Sequence, residues 1–207
     1  MMDLLNSGGS FMYVILATSI GALALFCERA FFLFMKMGLN MDAAFSRIAK
    51  LLERSNYRAA LQEVNDMQAH PMGRILKSGL LKAGKRDKDI EQAMQEGILR
   101  EVPLLKVRIN YLSMFANVAT LLGLLGTIVG LIAAFAGVAG AGAAEKQTIL
   151  AAGISVAMFT TAFGLIVSIP SLVGFYVLNN RSDSIIDKMD EKALALFNIL
   201  SDLKREK

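Results

Sequence analysis

This 207-residue chain has one histidine, one cysteine, three prolines and no tryptophan. A lone cysteine excludes an intrachain disulfide, and without a second cysteine or histidine there is no zinc-type ligand spacing. There is no phosphate-cradling glycine loop, no His-Glu cluster and no Ser-His-Asp set, so the sequence offers no enzyme site and calls for no metal or cofactor. The larger absence is of charge. Residues 4–27, 109–144 and 147–180 contain no Lys, Arg, Asp or Glu. A membrane-spanning helix needs about 20 apolar residues, and all three runs exceed that. The composition agrees: 55% of residues are hydrophobic and 19% charged, against about 45–50% and about 25% in soluble domains. The chain reads as an all-α polytopic membrane protein with three transmembrane helices and the lipid bilayer as its solvent.

The first span, 11–35, follows a start with Asp3 as its only charge and no basic stretch, and it stays apolar past Glu28 and Arg29. It therefore reads as a retained span rather than a secretory signal. Basic residues set the orientation. Fifteen lie from Arg29 to Arg108, Lys146 alone lies between the second and third spans, and six follow Asn180. The excess of cytoplasmic lysine and arginine predicts an amino terminus (1–10) and a 137–149 loop outside, with 36–108 and 181–207 in the cytoplasm. The second and third spans are then 109–136 and 150–180. A net charge of +4 reflects this cytoplasmic surface and needs no nucleic acid to explain it.

Residues 36–108 are too long for a linker and carry apolar residues at helical spacing. Asn40 or Asp42 caps a helix bearing Phe45, Ile48 and Leu52, and Ser55 opens another with Tyr57, Leu61 and Val64. His70-Pro71 breaks that helix, and a third carries Ile75, Leu76 and Leu80 as far as Ala83-Gly84-Lys85. A long helix from Asp87 or Asp89 carries Ile90, Met94, Ile98 and Leu105, with Pro103 its only interruption before the second span. The spacing predicts a helical bundle continuous with that span. The 36-residue charge-free run at 109–144 is about 54 Å long as helix, more than a bilayer core, and the glycines of GVAGAGAA at 137–144 predict a turn. The tail is an amphipathic helix with Ile185, Met189, Leu196 and Leu200 on one side. His70 reads as a solvated helix-end residue and Cys27 as a small buried hydrophobe.

The informative residues lie in 121–168. Gly123, Gly126, Thr127 and Gly130 fall at i, i+3, i+4 and i+7, one face of a helix, and Ala157, Thr161, Gly164, Ser168 and Ser171 do the same on the next. Small residues at this spacing serve close helix–helix packing in membranes. That accounts for the glycines and Ala157, and less well for Thr127, Thr160 and Thr161, which suit an ion pathway as well as a helix whose hydroxyls bond their own backbone. Glu28 and Arg29, charged at the inner end of a span, pair, snorkel or contact a neighbouring subunit or partner. Neither the second nor the third span has an Asp, Glu, Lys or His. A proton passing here needs a titratable group from another chain or a water wire.

LLGLLGTIVGLIAAF (121–135) and LAAGISVAMFTTAFGLIVSIPSLVGFY (150–176) resemble the signature spans of the MotA/TolQ/ExbB proton-channel family. The three-span layout and Glu-Arg after the first span are similar to its ExbB/TolQ branch. The resemblance implies a pentamer of this chain in the bacterial inner membrane, around a dimer of a single-span ExbD-, TolR- or MotB-like partner that carries the membrane Asp. It implies an ion-driven motor that does mechanical work in the cell envelope, in which Thr127 and Thr161 face that Asp. Two departures stand out. Val156 occupies a position where ExbB and TolQ usually have Glu, and Thr160 stands where Ala is usual, a threonine pair similar to that of sodium-driven flagellar stators.

Overall fold

A computed structural model describes residues 10–38, 40–140 and 142–205 of the chain. Among the described residues every regular element is helical. In chain order these are α1 (Ser10–Ala30), a π-helical turn (Phe31–Lys36), α2 (Met41–Glu53), α3 (Tyr57–Asp66), α4 (Pro71–Leu80), α5 (Asp87–Lys106), α6 (Ile109–Ala139) and α7 (Ala143–Arg205). Three helical stretches, within 11–53, 87–139 and 145–205, are long and apolar enough to cross a membrane.

The chain divides into two compact units. The first comprises residues through Arg29 together with Arg108–Leu178, and so holds α1, α6 and the first part of α7. Its helices meet through glycines that let bulky residues in. Phe115 lies over Gly21, and Phe26 and Leu112 lie over Gly174. Ile15, Ala119 and Val167 form a small core flanked by Leu122 and Phe163. Thus α1 packs along one flank of the α6/α7 pair. The turn predicted over the glycine-rich 137–144 stretch is present: α6 ends at Ala139 and α7 begins at Ala143, where clustered glycines weaken helix.

The second unit comprises Ala30–Val107 and Asn179–Lys207. Here capping residues fix the helix starts. Asn40 Oδ1 accepts the Ala43 amide at 3.2 Å and Asn56 Oδ1 accepts the Ala59 amide at 3.1 Å, while Ser55, the expected opener of α3, holds a left-handed φ of 55°. His70 is buried, not solvated, at 6% exposure. Its Nδ1 accepts the Met72 amide at 3.2 Å and so caps α4. Burial of the ring, with the Arg74 charge also acting, holds its pKa below 6.5. Glu101 is also buried and takes a two-pronged bond from Arg74, at 2.6 and 2.5 Å. The apolar faces pack as the periodicity predicts: Ile48, Leu52, Val64, Ile75, Leu76, Ile90, Met94 and Leu105 are buried together with Ile185, Met189, Leu196 and Leu200 of the tail. Lys192 meets Asp42 at 2.6 Å and Lys204 meets Asp87 at 2.9 Å. Pro103 sits inside α5. The expected continuity into the second span is interrupted at Val107 and Arg108, where Arg108 adopts φ 64°. A left-handed residue cannot extend a right-handed helix.

Candidate functional site

The small residues singled out in the sequence are placed on the first unit's α6/α7 seam. A Cβ on Gly123 would lie 3.2 Å from the Thr160 carbonyl and 3.3 Å from the Thr161 Cα. One on Gly130 would meet Ala157 at 3.2 Å, and one on Gly164 would meet the Ala119 carbonyl oxygen at 2.7 Å. The two backbones therefore touch, with glycine opposite glycine at 123 and 164. The sequence reading missed two further members, Gly153 and Ala134, which interlock in the same way farther along. Both continue the same spacing and were open to detection. The close company these residues require is supplied within the chain itself.

The threonines separate into two kinds. Thr160 is 1% exposed. Its methyl fills the notch left by Gly126, and its hydroxyl donates to the Val156 carbonyl at 2.8 Å. Within this chain its side chain is thus packed against α6, and Thr161, one residue on, points about 100° away on the helix. Thr127 and Thr161 are only half-buried. Thr161 donates across the seam to the Gly123 carbonyl at 3.1 Å, and Thr127 donates to Leu124 of its own helix at 2.6 Å. Both lie on the flank of the α6/α7 pair opposite α1.

Ser168, 8% exposed, shares a hydrogen bond of 2.8 Å with Thr120, a residue the motif comparison passed over. Thr120 in turn donates to Ala116 at 3.1 Å. Ser171 returns its proton to Val167 at 2.7 Å. The seam thus carries hydroxyls and carbonyls, groups that hold water or relay a proton without storing one. No charged residue belongs to it.

Charge in this unit gathers at the other end of α1. Glu28 accepts from Arg108 at 2.7 Å and from Arg29 at 3.3 Å. Arg29 is 7% exposed. The expected pairing of Glu28 and Arg29 is present, and it recruits Arg108, whose left-handed backbone places it there. Cys27 is exposed on α1 rather than buried. On a spanning helix an outward thiol meets lipid at no cost, so its small apolar character stands while its location differs from that expected.

Comparison with known proteins fits this architecture. Residues 67–191 match the model of the MotA/TolQ/ExbB proton channel family. A protein named ExbB-like 3 from Synechocystis sp. is 32% identical over 168 residues, covering 81% of this chain and 79% of that one. An ExbB homolog from Methanothermobacter thermautotrophicus is 27% identical over 190 residues, 91% of this chain and 66% of its relative. The solved structure of MotAB from C. jejuni has a similar fold, with a TM-score of 0.70 at 18% identity over 95% of this chain and 80% of the other. With three helices able to span a membrane and the matching segment covering more than half its length, the chain belongs to the MotA/TolQ/ExbB proton channel family.

Proposed function

We propose that this chain is the channel-forming subunit of an inner-membrane motor that couples proton flow to mechanical work in the cell envelope. In this reading five copies enclose a dimer of a single-span partner similar to ExbD or TolR. The amino terminus lies outside, and 36–108 and the tail lie in the cytoplasm. Thr127 and Thr161 face the partner's membrane Asp, and Glu28 and Arg29 contact a neighbouring copy or partner.

The observation that carries this reading is a flank with hydroxyls and no titratable group. Thr127 and Thr161 sit half-open within runs that lack Asp, Glu, Lys and Arg. Hydroxyls do not titrate near neutral pH, so the carboxylate that takes up and releases the ion belongs to another chain. Val156, standing where the ExbB/TolQ pattern usually has Glu, makes that dependence complete. The proton is favoured over sodium because Thr160, the second threonine of the sodium-type pair, is buried and already hydrogen-bonded.

The test is Thr161→Val, near-isosteric and without the hydroxyl. Proton flux into vesicles containing this chain with its single-span partner should fall to background while the purified complex keeps its mass. Unchanged flux refutes the assignment. A complex with no proton or sodium flux in the parent protein supports instead a scaffold whose seam only binds helices together.

A further inference from the structure

The first unit has an open groove of about 540 Å³ where α1 and α6 run side by side. Ala24 and Leu25 form one wall, Tyr111 and Met114 the other, and Phe115 over Gly21 forms one end. Seven residues along each helix, about 10 Å, the other end lies at Glu28 and Arg108. Glu28 ends one charge-free run and Arg108 precedes the next, so this end sits where hydrocarbon gives way to headgroups. Arg108 reaches it through a left-handed φ of 64°, a backbone that a residue other than glycine keeps only when its surroundings impose it. Its Nη1 donates to Glu28 at 2.7 Å, and among the described residues it has no other partner. Arg29 donates to the same carboxylate at 3.3 Å. Two guanidinium groups thus share one carboxylate, and the cluster keeps a surplus positive charge. Arg108 is half-exposed, with most of its N–H donors unused. The Tyr111 hydroxyl beside it is exposed and makes no hydrogen bond among the described residues.

An apolar groove that ends in surplus positive charge at the membrane boundary matches a molecule with an apolar tail and an anionic head. We propose that the α1/α6 groove holds one anionic phospholipid, its phosphate on Arg108 and part of an acyl chain between Leu25 and Met114. The arginine fork fits phosphate oxygens. Tyr111, apolar in body and polar at its tip, suits the same level. A free phosphate would leave the apolar walls without an occupant, and a zwitterionic lipid would bring a cation of its own beside Arg108. The proposal goes beyond the channel reading and uses Arg108, to which that reading gives no role. Only the leaflet, the cytoplasmic one, follows from the orientation given there.

Lipid binding is read on the full-length chain, purified in detergent and stripped of lipid, by native mass spectrometry and thermal denaturation. Phosphatidylglycerol should bind at a single lipid per chain and raise Tm. Phosphatidylcholine should bind about fivefold more weakly, the worth of one basic side chain at an anionic surface. Inorganic phosphate at the same concentration should leave Tm unchanged. Arg108→Gln should cut phosphatidylglycerol binding to the level of phosphatidylcholine. Ala24→Phe fills the groove from an exposed position with the charges left in place, and should weaken both lipids. Equal binding of the two lipids by the parent chain overturns the proposal. A Tm gain from inorganic phosphate alone also overturns it, leaving an anion site without a lipid. Unchanged phosphatidylglycerol binding in Ala24→Phe puts the lipid outside the groove. Absence of bound phosphatidylglycerol refutes the site, and a disulfide between copies at Met114→Cys, in a Cys27→Ser background, would then assign the groove to a second copy. The comparisons on the parent chain decide the matter even where a variant fails to assemble, and none of them reads ion flux.

Discussion

The most direct test of the seam is to move its knob from one helix to the other. A Cβ placed on Gly126 would overlap the Thr160 methyl and lie 2.9 Å from the Thr160 Cβ. The obstruction is a side chain, so it can be removed. Gly126→Ala gains about 1 kcal/mol of helix propensity and costs about 1–3 kcal/mol for overpacking a filled interface, a net loss of up to about 2 kcal/mol. Thr160→Ala empties the same notch and deletes the bond to Val156, again losing about 1–2 kcal/mol. The double variant restores the volume with the methyl on the opposite helix, so it should recover about 1–2 kcal/mol relative to the sum of the two. In a chain of this size each kcal/mol moves Tm by about 2–4 °C. The readout is thermal denaturation of the purified protein in detergent. Thr160→Ala should melt about 2–8 °C lower and Gly126→Ala lower by up to about 8 °C, and the pair should melt above the additive value. Strict additivity would show that Gly126 and Thr160 do not meet. Gly164→Ala provides the contrast, because its obstruction is the Ala119 carbonyl at 2.7 Å and no side-chain deletion relieves it. Gly140→Ala, with nothing within 4 Å, should be close to neutral.

Two predictions concern the second unit. Glu101→Gln removes the carboxylate that Arg74 grips at 2.6 and 2.5 Å. Arg74 reaches solvent while Glu101 is buried, so the loss should be about 1–3 kcal/mol, less than for a fully buried pair; an unchanged Tm would contradict the buried bidentate geometry. His70 should make stability depend on pH. Its folded pKa lies below the ordinary 6.5, so the unfolded chain binds more protons in that interval. Stability is fully present above 6.5 and falls as pH drops from there toward the lowered folded value. His70→Asn, which can still cap α4, should flatten that slope; a persisting slope would assign it to other groups.

How far the sequence could be read follows from which interactions dominate locally. The seam was legible because close backbone approach has one solution, small residues at helical spacing, and Gly123, Gly130 and Gly164 show it without ambiguity. The buried faces of α2 to α5 were legible for the equivalent reason. The burial of Thr160 against Gly126 was not legible, because a threonine beside another in sequence points about 100° away from it on a helix. His70 and Cys27 were misjudged in opposite directions, since composition around a residue does not fix its side. The glycine-rich 137–144 stretch read correctly as a turn, and the break between Ala139 and Ala143 falls inside it, because repeated glycine weakens helix. The break at Arg108 carries no glycine, asparagine or proline to announce it. The structure alone shows that the break brings Arg108 to Glu28, at 2.7 Å. Thr120 was passed over because the family motifs begin one residue later, at Leu121.

Under the proposed function, the distribution of polar groups on the seam bears on why this chain would need a partner to conduct. A relay of hydroxyls and amides orders water and passes a proton along, but it cannot hold one, and every hop is reversible. Directed flow requires a group that is charged at one moment and neutral at another, set against a barrier that it alone crosses. The seam supplies no such group: its side chains are hydroxyls and methyls beside glycines, and Glu28, Arg29 and Arg108 pair with one another off it. Under the proposed function the switching group is therefore the partner's carboxylate, and this chain's own part is to hold two backbones close enough for Thr161 to bond the Gly123 carbonyl across the seam at 3.1 Å.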